Sequence, residues 1–151
     1  MRRRALVLGL VMAVVAAGCD STSPTEPEQA AFDASLGINL AAMTKLPSGV
    51  YIRTETAGTG TATVTATRAF VADYKGWLPN GDEFDSGTFS QPLFTSQLIP
   101  GFGDGVIGMK VGELRTIVIP SRLAYADQPP EGSIIPKHSV LIFQVSIRSI
   151  S

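Results

Sequence analysis

Hydrophobic and polar positions alternate most cleanly near the end of the chain, where Leu141, Phe143, Val145 and Ile147 interleave with Ile142, Gln144, Ser146 and Arg148. A period of two puts the first set on one face of a strand and the second on the other. The same period runs through Phe70, Ala72 and Tyr74 against Val71 and Asp73, and through Val50, Ile52 and Thr54. Strands are therefore predicted over residues 49–56, 84–88, 114–119 and 140–148, and the Thr-, Val- and Phe-rich stretch 61–74 is expected to be extended throughout. One segment, residues 99–109, carries a helical period, with Phe102, Val106 and Met109 at i, i+4 and i+7. Its glycines at 101, 103, 105 and 108 each weaken a helix by up to ~1 kcal/mol, so it must dock on a sheet to survive. The predicted fold class is α+β, a curved antiparallel β-sheet of about five to six strands wrapped around one short α-helix.

The punctuation agrees. Pro79-Asn80-Gly81 supplies a tight reversal between two strands, since proline pre-sets φ and Asn and Gly tolerate φ > 0. Just after it, Phe84 and Asp85 point to opposite sides of a regular strand, or to the same side if the chain bulges there. Residues 127–137 hold three prolines and a glycine, which makes them a surface loop able to flank a cleft.

The N-terminal third reads differently. Arg2, Arg3 and Arg4 precede an apolar run over residues 5–17, too short for a spanning helix but suited to a signal-peptide core. Val15-Ala16-Ala17-Gly18-Cys19 looks like a bacterial lipobox, whose cysteine becomes lipid-modified after cleavage. Cys19 is the chain's single cysteine, so no internal disulfide forms. The expected organisation is a lipoprotein signal peptide over residues 1–18 and a lipidated cysteine with a flexible tether over 19–30. An N-terminal arm over 31–47 and one globular domain over 48–151 follow. The tether is polar and proline-bearing, reaching about 30 Å when extended. In the arm, Phe32, Leu36, Ile38, Leu40 and Met43 fit neither a full helix nor a full strand, which suggests a short helix or an extended arm packed on the domain. The expected location is the bacterial cell envelope, lipid-anchored, on the periplasmic or extracellular face.

The formal net charge is −1, and removal of the three leading arginines makes it −4 (nine basic minus thirteen acidic residues). Such a surface argues against nucleic acid as a partner. Candidate chemistry is sparse. The single histidine, His138, stands at a loop-to-strand step, and no nucleophile–base pair or zinc-ligand spacing is present. The helix glycines spell G-x-G-x-x-G, but no long strand leads in, no acidic residue takes the ribose role and no G-K-[ST] follows. No metal and no cofactor are expected, so any catalysis here works without covalent or metal chemistry.

The stretch from Tyr74 to Ser86 has the form Y-x-G-W-L-x-N-G-x-x-F-D-S. With Ile99-Pro100-Gly101-Phe102, residues 105–113, Ile119-Pro120, Leu123-Ala124-Tyr125 and residues 141–145, it resembles the peptidyl-prolyl isomerases of the FK506-binding family. The resemblance covers residues 48–151 in the family's order. It implies a pocket with Phe102 as floor under a substrate proline, where the family usually has tryptophan. Tyr74, Phe84 and Phe143 would be its walls, completed by Leu98, Ile99 and Ile135. Tyr125 would hydrogen-bond a substrate carbonyl, the amide of Ile99 would bind substrate backbone, and Asp85 would polarise the site. Residues 91–97 are shorter than the family's usual segment, leaving either Leu93 or Phe94 to line the pocket there. The arginine that often pairs with the family's aspartate has no counterpart between Ser86 and Gln91.

The function so implied is rotation of X-Pro bonds in extracytoplasmic protein clients by desolvation in an aromatic pocket. The partners implied are proline-containing unfolded or partly folded polypeptides, macrolides of the FK506 type, and a membrane reached through the N-terminal lipid. Two rival readings are a non-catalytic chaperone or scaffold using the same groove, and a lipoprotein whose interaction surface is the arm at residues 32–43.

Overall fold

The computed structural model describes residues 24–95 and 97–151, with the side chain of Phe94 excepted. The leader, the lipobox and Cys19 lie outside the described residues. Eight strands follow in chain order: β1 (Thr44–Lys45), β2 (Tyr51–Thr56), β3 (Thr59–Thr63), β4 (Phe70–Trp77), β5 (Glu83–Ser90), β6 (Lys110–Val111), β7 (Leu114–Ile119) and β8 (Leu141–Ile150). Six form one antiparallel sheet in the order β1-β2-β7-β8-β4-β5, and β3 pairs with β6 beside it. Among the described residues there is one α-helix, α1 (Pro100–Val106), shorter than the predicted 99–109.

Cross-strand rows show how the period of two builds two faces. One row runs Ile52, Ile117, Phe143, Gly76, Asp85, and the next runs Tyr51, Val118, Ile142, Trp77, Glu83. The first faces α1, and the second faces away from it. Phe102, Val106 and Met109 are buried against the inner face, as their spacing requires. Two glycines set how closely the helix lies. A Cβ on Gly101 would stand 2.3 Å from Ile119 Cγ2, and one on Gly105 would stand 2.5 Å from Ile117 Cγ2. Glycine thus gives up helix propensity for contact with the sheet.

The C-terminal end of α1 is closed by a buried cation. Arg115 donates to the carbonyls of Gly105 (2.9 Å) and Ile107 (3.3 Å) and to Glu113 Oε1 (2.7 Å). Glu113 in turn accepts from Thr54 Oγ1 and from the Lys110 amide. Both charges are buried, and each is satisfied by the other and by the helix end they hold.

Three expectations change. The stretch 61–74 is not continuously extended: β3 ends at Thr63 and β4 begins at Phe70. Val64 leaves the strand direction to be fully buried and exchanges backbone hydrogen bonds with Gly108 and Met109, which breaks the run. Ile142, on the nominally polar side of β8, is 2% exposed. The cause is the arm, whose residues Phe32, Leu36, Ile38, Leu40 and Met43 pack over Tyr51, Val118, Val140 and Ile142 with Trp77. The arm is neither one short helix nor extended throughout; it holds two 3-10 turns (Ala34–Leu36, Leu40–Ala42) leading into β1, and a third (Pro27–Gln29) precedes it. Its apolar side chains are used within the chain.

The segment read as a flexible tether up to residue 30 lies on the domain from Pro24 onward. Pro27 is buried, the Thr25 carbonyl accepts from the Ser121 amide at 2.8 Å, and Glu28 accepts from Tyr51 Oη at 2.6 Å and pairs with Lys45.

Candidate active site

Strands β4 and β5 bring the first part of the site together. Gly76 pairs with Asp85 while Trp77 pairs with Glu83, so Phe84 is the extra residue of a β-bulge. The bulge turns Phe84 and Asp85 to the same face, the arrangement that a regular strand forbids. Gly76 makes room for it: a Cβ there would stand 2.6 Å from Phe84 Cζ and 2.9 Å from Phe143 Cε1. The turn that joins the strands is held by Gly81 N–H to the Leu78 carbonyl (3.0 Å) and Leu78 N–H to the Asp82 carbonyl (2.8 Å), with Gly81 at φ +93°.

These residues meet the helix and the loops around a cavity of about 70 Å³ lined by Tyr74, Phe84, Asp85, Gln97, Leu98, Ile99, Phe102, Tyr125 and Phe143. Phe143 is at the hub. Its ring centroid lies 5.3 Å from that of Phe102 and 5.5 Å from that of Phe84, both edge-to-face, and 6.3 Å from that of Tyr74. Tyr74 meets Phe102 edge-to-face at 6.0 Å. Edge-to-face pairs contribute about 0.5–1.5 kcal/mol each beyond burial, so the walls hold their shape before any ligand arrives.

The polar groups are few and placed at the rim. The Tyr74 hydroxyl donates to Asp85 Oδ2 at 3.0 Å, across the diagonal of the β4–β5 pair. This tyrosine, rather than an arginine, is what orients the carboxylate. Burial pushes the Tyr74 hydroxyl above the usual phenol range, and the Asp85 contact pushes it further. Burial likewise raises Tyr125, with a smaller push from the Asp85 charge. Among the described residues the Tyr125 hydroxyl has no hydrogen-bond partner, and neither has the amide of Ile99 at the cap of α1. Both residues line the cavity, so two donors without partners stand in a wall that also carries the Asp85 carboxylate and the Gln97 amide.

Of the residues singled out from sequence, Ile135 stands apart. It is buried in the same core as Phe102 and Phe143 but does not line the cavity, and its neighbour Ile134 is the exposed member of the pair. The loop that carries both is closed at its neck, where the His138 amide donates to the Ala126 carbonyl with both residues at positive φ. Leu93 packs against the main core. Sequence reasoning missed Gln97, which lines the cavity, and Phe89, which backs Phe102 at 6.4 Å. Among the described residues no group of three or more His, Cys, Asp or Glu is placed to hold a metal ion.

A sheet curved over one helix, with an aromatic cavity between them and donors at its rim, defines a class, and comparison with known proteins gives the same class. The family model for FKBP-type peptidyl-prolyl cis-trans isomerase matches residues 60–148, and the chain belongs to that family. An FK506-binding protein of Neisseria meningitidis serogroup A is 40% identical over 82 residues, 51% of this chain and 74% of that protein. FK506-binding protein 4 of Mycosarcoma maydis is 37% identical over 111 residues, 71% of this chain but 29% of that protein. FK506-binding protein 2 of Yarrowia lipolytica is 43% identical over 82 residues, and the match spans 56% of its length. Among solved structures, FkpA from Escherichia coli superposes with a TM-score of 0.64 at 28% identity, over 78% of this chain and 55% of that one. A peptidyl-prolyl cis-trans isomerase from Pseudomonas syringae pv. tomato gives 0.64 at 28% identity, over 73% and 81%.

Proposed function

We propose that this chain accelerates cis–trans rotation of X-Pro bonds in polypeptides. The barrier to that rotation, about 20 kcal/mol, comes from amide resonance. Resonance places negative charge on the carbonyl oxygen, and water stabilises that planar, charge-separated state. A cavity walled by Phe84, Phe102, Phe143 and Tyr74 excludes water and so favours the twisted bond. The Ile99 amide would bind substrate backbone and the Tyr125 hydroxyl a substrate carbonyl, while Asp85, which accepts from Tyr74, would polarise the rim. No proton transfer or covalent step is needed. The observation that carries this reading is the aromatic-walled cavity lined by Tyr125 and Ile99, whose donors have no partner among the described residues, in a chain of this family.

The same cavity is the proposed site for macrolides of the FK506 type, the ligand that the relatives are named for. Attachment to the cell envelope through a lipid on Cys19 is proposed from the lipobox-like sequence. The clients would then be unfolded or partly folded chains outside the cytoplasm. Their X-Pro bonds isomerise over tens of seconds unaided, slowly enough to delay folding.

The test is isomerisation of a short X-Pro peptide by wild type beside Tyr125→Phe, Asp85→Leu and Phe84→Ala, with folding of each verified by circular dichroism. Wild type should accelerate the reaction, and each variant should lose on the order of ten-fold or more in kcat/KM. Folded wild type that binds the peptides without accelerating them would favour the chaperone reading instead. Incorporation of labelled palmitate that disappears in Cys19→Ser tests the anchor.

A further inference from the structure

The arm does not touch the cavity, yet it holds the hairpin that builds half of it. The Asp33 amide donates to the Pro79 carbonyl at 2.8 Å. The same residue fills the space over the turn, where a Cβ on Gly81 would meet Asp33 Cβ at 3.4 Å and Ser35 Oγ at 3.5 Å. Asp33 is itself fixed, since its Oδ1 accepts from the amide and the hydroxyl of Ser35. Behind the turn, Leu36 and Trp77 share the outer apolar cluster. The clamped turn lies immediately between Trp77 and the bulge at Phe84.

The arm is nevertheless not sealed into the fold. Phe32, Leu36, Ile38, Leu40 and Met43 are half-buried, and a cavity of about 360 Å³ remains between Ser35, Leu36 and Gly81 on one side and Trp77, Thr116, Ile142 and Gln144 on the other. Besides the turn, one hydrogen bond from Arg53 Nη1 to the Gly37 carbonyl (3.2 Å) and half-buried apolar contacts hold the segment, an element of low local stability that can detach while the sheet stays intact.

We propose that residues 30–43 are a positioning strap for the active site: through Asp33 on Pro79 and Leu36 beside Trp77 they hold the β4–β5 turn, and with it the bulge that places Phe84 and Asp85 in the cavity. Releasing the strap widens the cavity on the Phe84 side without unfolding the domain. Asp33 and Leu36 are positioning residues. This inference rests on the isomerase reading above.

Asp33 has φ −60°, so proline fits there and removes the amide donor. Asp33→Ala removes the same carboxylate but keeps the donor, and is the control. A second releasing variant is Phe32→Asp with Leu36→Asp. All are made in the full chain and assayed well below their melting temperatures. Trp77, the chain's one tryptophan, reports release of the strap through its emission, and the backbone amide shifts of Phe84 and Asp85 report the bulge. The expected result for Asp33→Pro and for the double variant is red-shifted Trp77 emission, displaced Phe84 and Asp85 shifts, and kcat/KM lower by on the order of ten-fold. Asp33→Ala, which loses the Ser35 contacts but keeps the donor to Pro79, should lose clearly less in kcat/KM than Asp33→Pro. Red-shifted emission with wild-type kcat/KM and unmoved Phe84 and Asp85 shifts would overturn the proposal, because the strap would then only stabilise. Unchanged emission in both releasing variants would also overturn it, since docking would not depend on the contacts named. Inactive wild type would instead sink the isomerase reading, and the amide shifts would still judge the strap.

Discussion

Two phenols set the electrostatics of the cavity, and their environments hold both of them neutral. Burial raises Tyr74 and Tyr125, and the nearby Asp85 charge raises them further. A neutral phenol is a hydrogen-bond donor, and a phenolate is not. The folded state therefore keeps its protons to higher pH than the unfolded chain. The associated stabilisation is full below the ordinary phenol value near 10 and is lost as pH rises through the raised folded values. A profile of kcat/KM against pH should accordingly be flat from about pH 6 to pH 9 and fall only above the ordinary phenol range. A basic limb near pH 7 would mean that some other titrating group governs the reaction.

At the scale of elements, α1 sets propensity against fit, and magnitudes decide between them. Propensity alone predicts that glycine to alanine in a helix gains up to ~1 kcal/mol. That holds at Gly103, where a Cβ would meet nothing within 4 Å. At Gly105 the Cβ would stand 2.5 Å from Ile117, and overpacking of that kind costs about 1–3 kcal/mol. Urea unfolding should thus show Gly103→Ala more stable than wild type and Gly105→Ala less stable, a difference in sign between two substitutions in one helix.

Element by element, most of the sheet and the helix could be read from the sequence because the inner face needs apolar residues at a period of two, or of 3.6 in α1. The site was readable where motif and period coincide, at Tyr74, Phe102 and Phe143. It was less readable where the chain departs from period. Phe84 and Phe89 are five residues apart and would face opposite ways in a regular strand; the bulge puts them on one face. Ile142 reads as a solvent-side residue until the arm is placed over it. The arm itself shows no period because its contacts come from separate short turns. Gln97 carries no signal at all, since a single polar residue in a loop has no pattern to betray it.

For the whole molecule, the N-terminal segment is clasped to the domain by a small ionic cluster. Hydrogen bonds from Lys45 and then Tyr51 lower the Glu28 carboxyl from its ordinary 4.5 to about 2. Because the folded value is the lower one, the clasp contributes fully above pH 4.5 and fades as pH falls through about 2. The carboxylate is largely solvated, so screening limits the contribution to about 1 kcal/mol or less. Thermal melting of wild type and Glu28→Gln should differ by a few degrees at pH 7 and converge toward pH 2.

The strand order has a further consequence for how the molecule comes into being. β8 lies at the centre of the sheet, between β7 and β4, although it is the last strand of this sequence. Tyr74, Phe84 and Asp85 stand on one side of it, β2 and β7 on the other, and Phe143 at the hub of the cavity belongs to β8 itself. A growing chain that has not yet reached Leu141 therefore holds two half-sheets with nothing between them. Translation proceeds from the other end, so the β4–β5 wall can pair early but the cavity cannot be completed until Phe143 arrives on β8. The isomerase domain stays a client, in the sense of an unfolded polypeptide with exposed prolines, until β8 has been made.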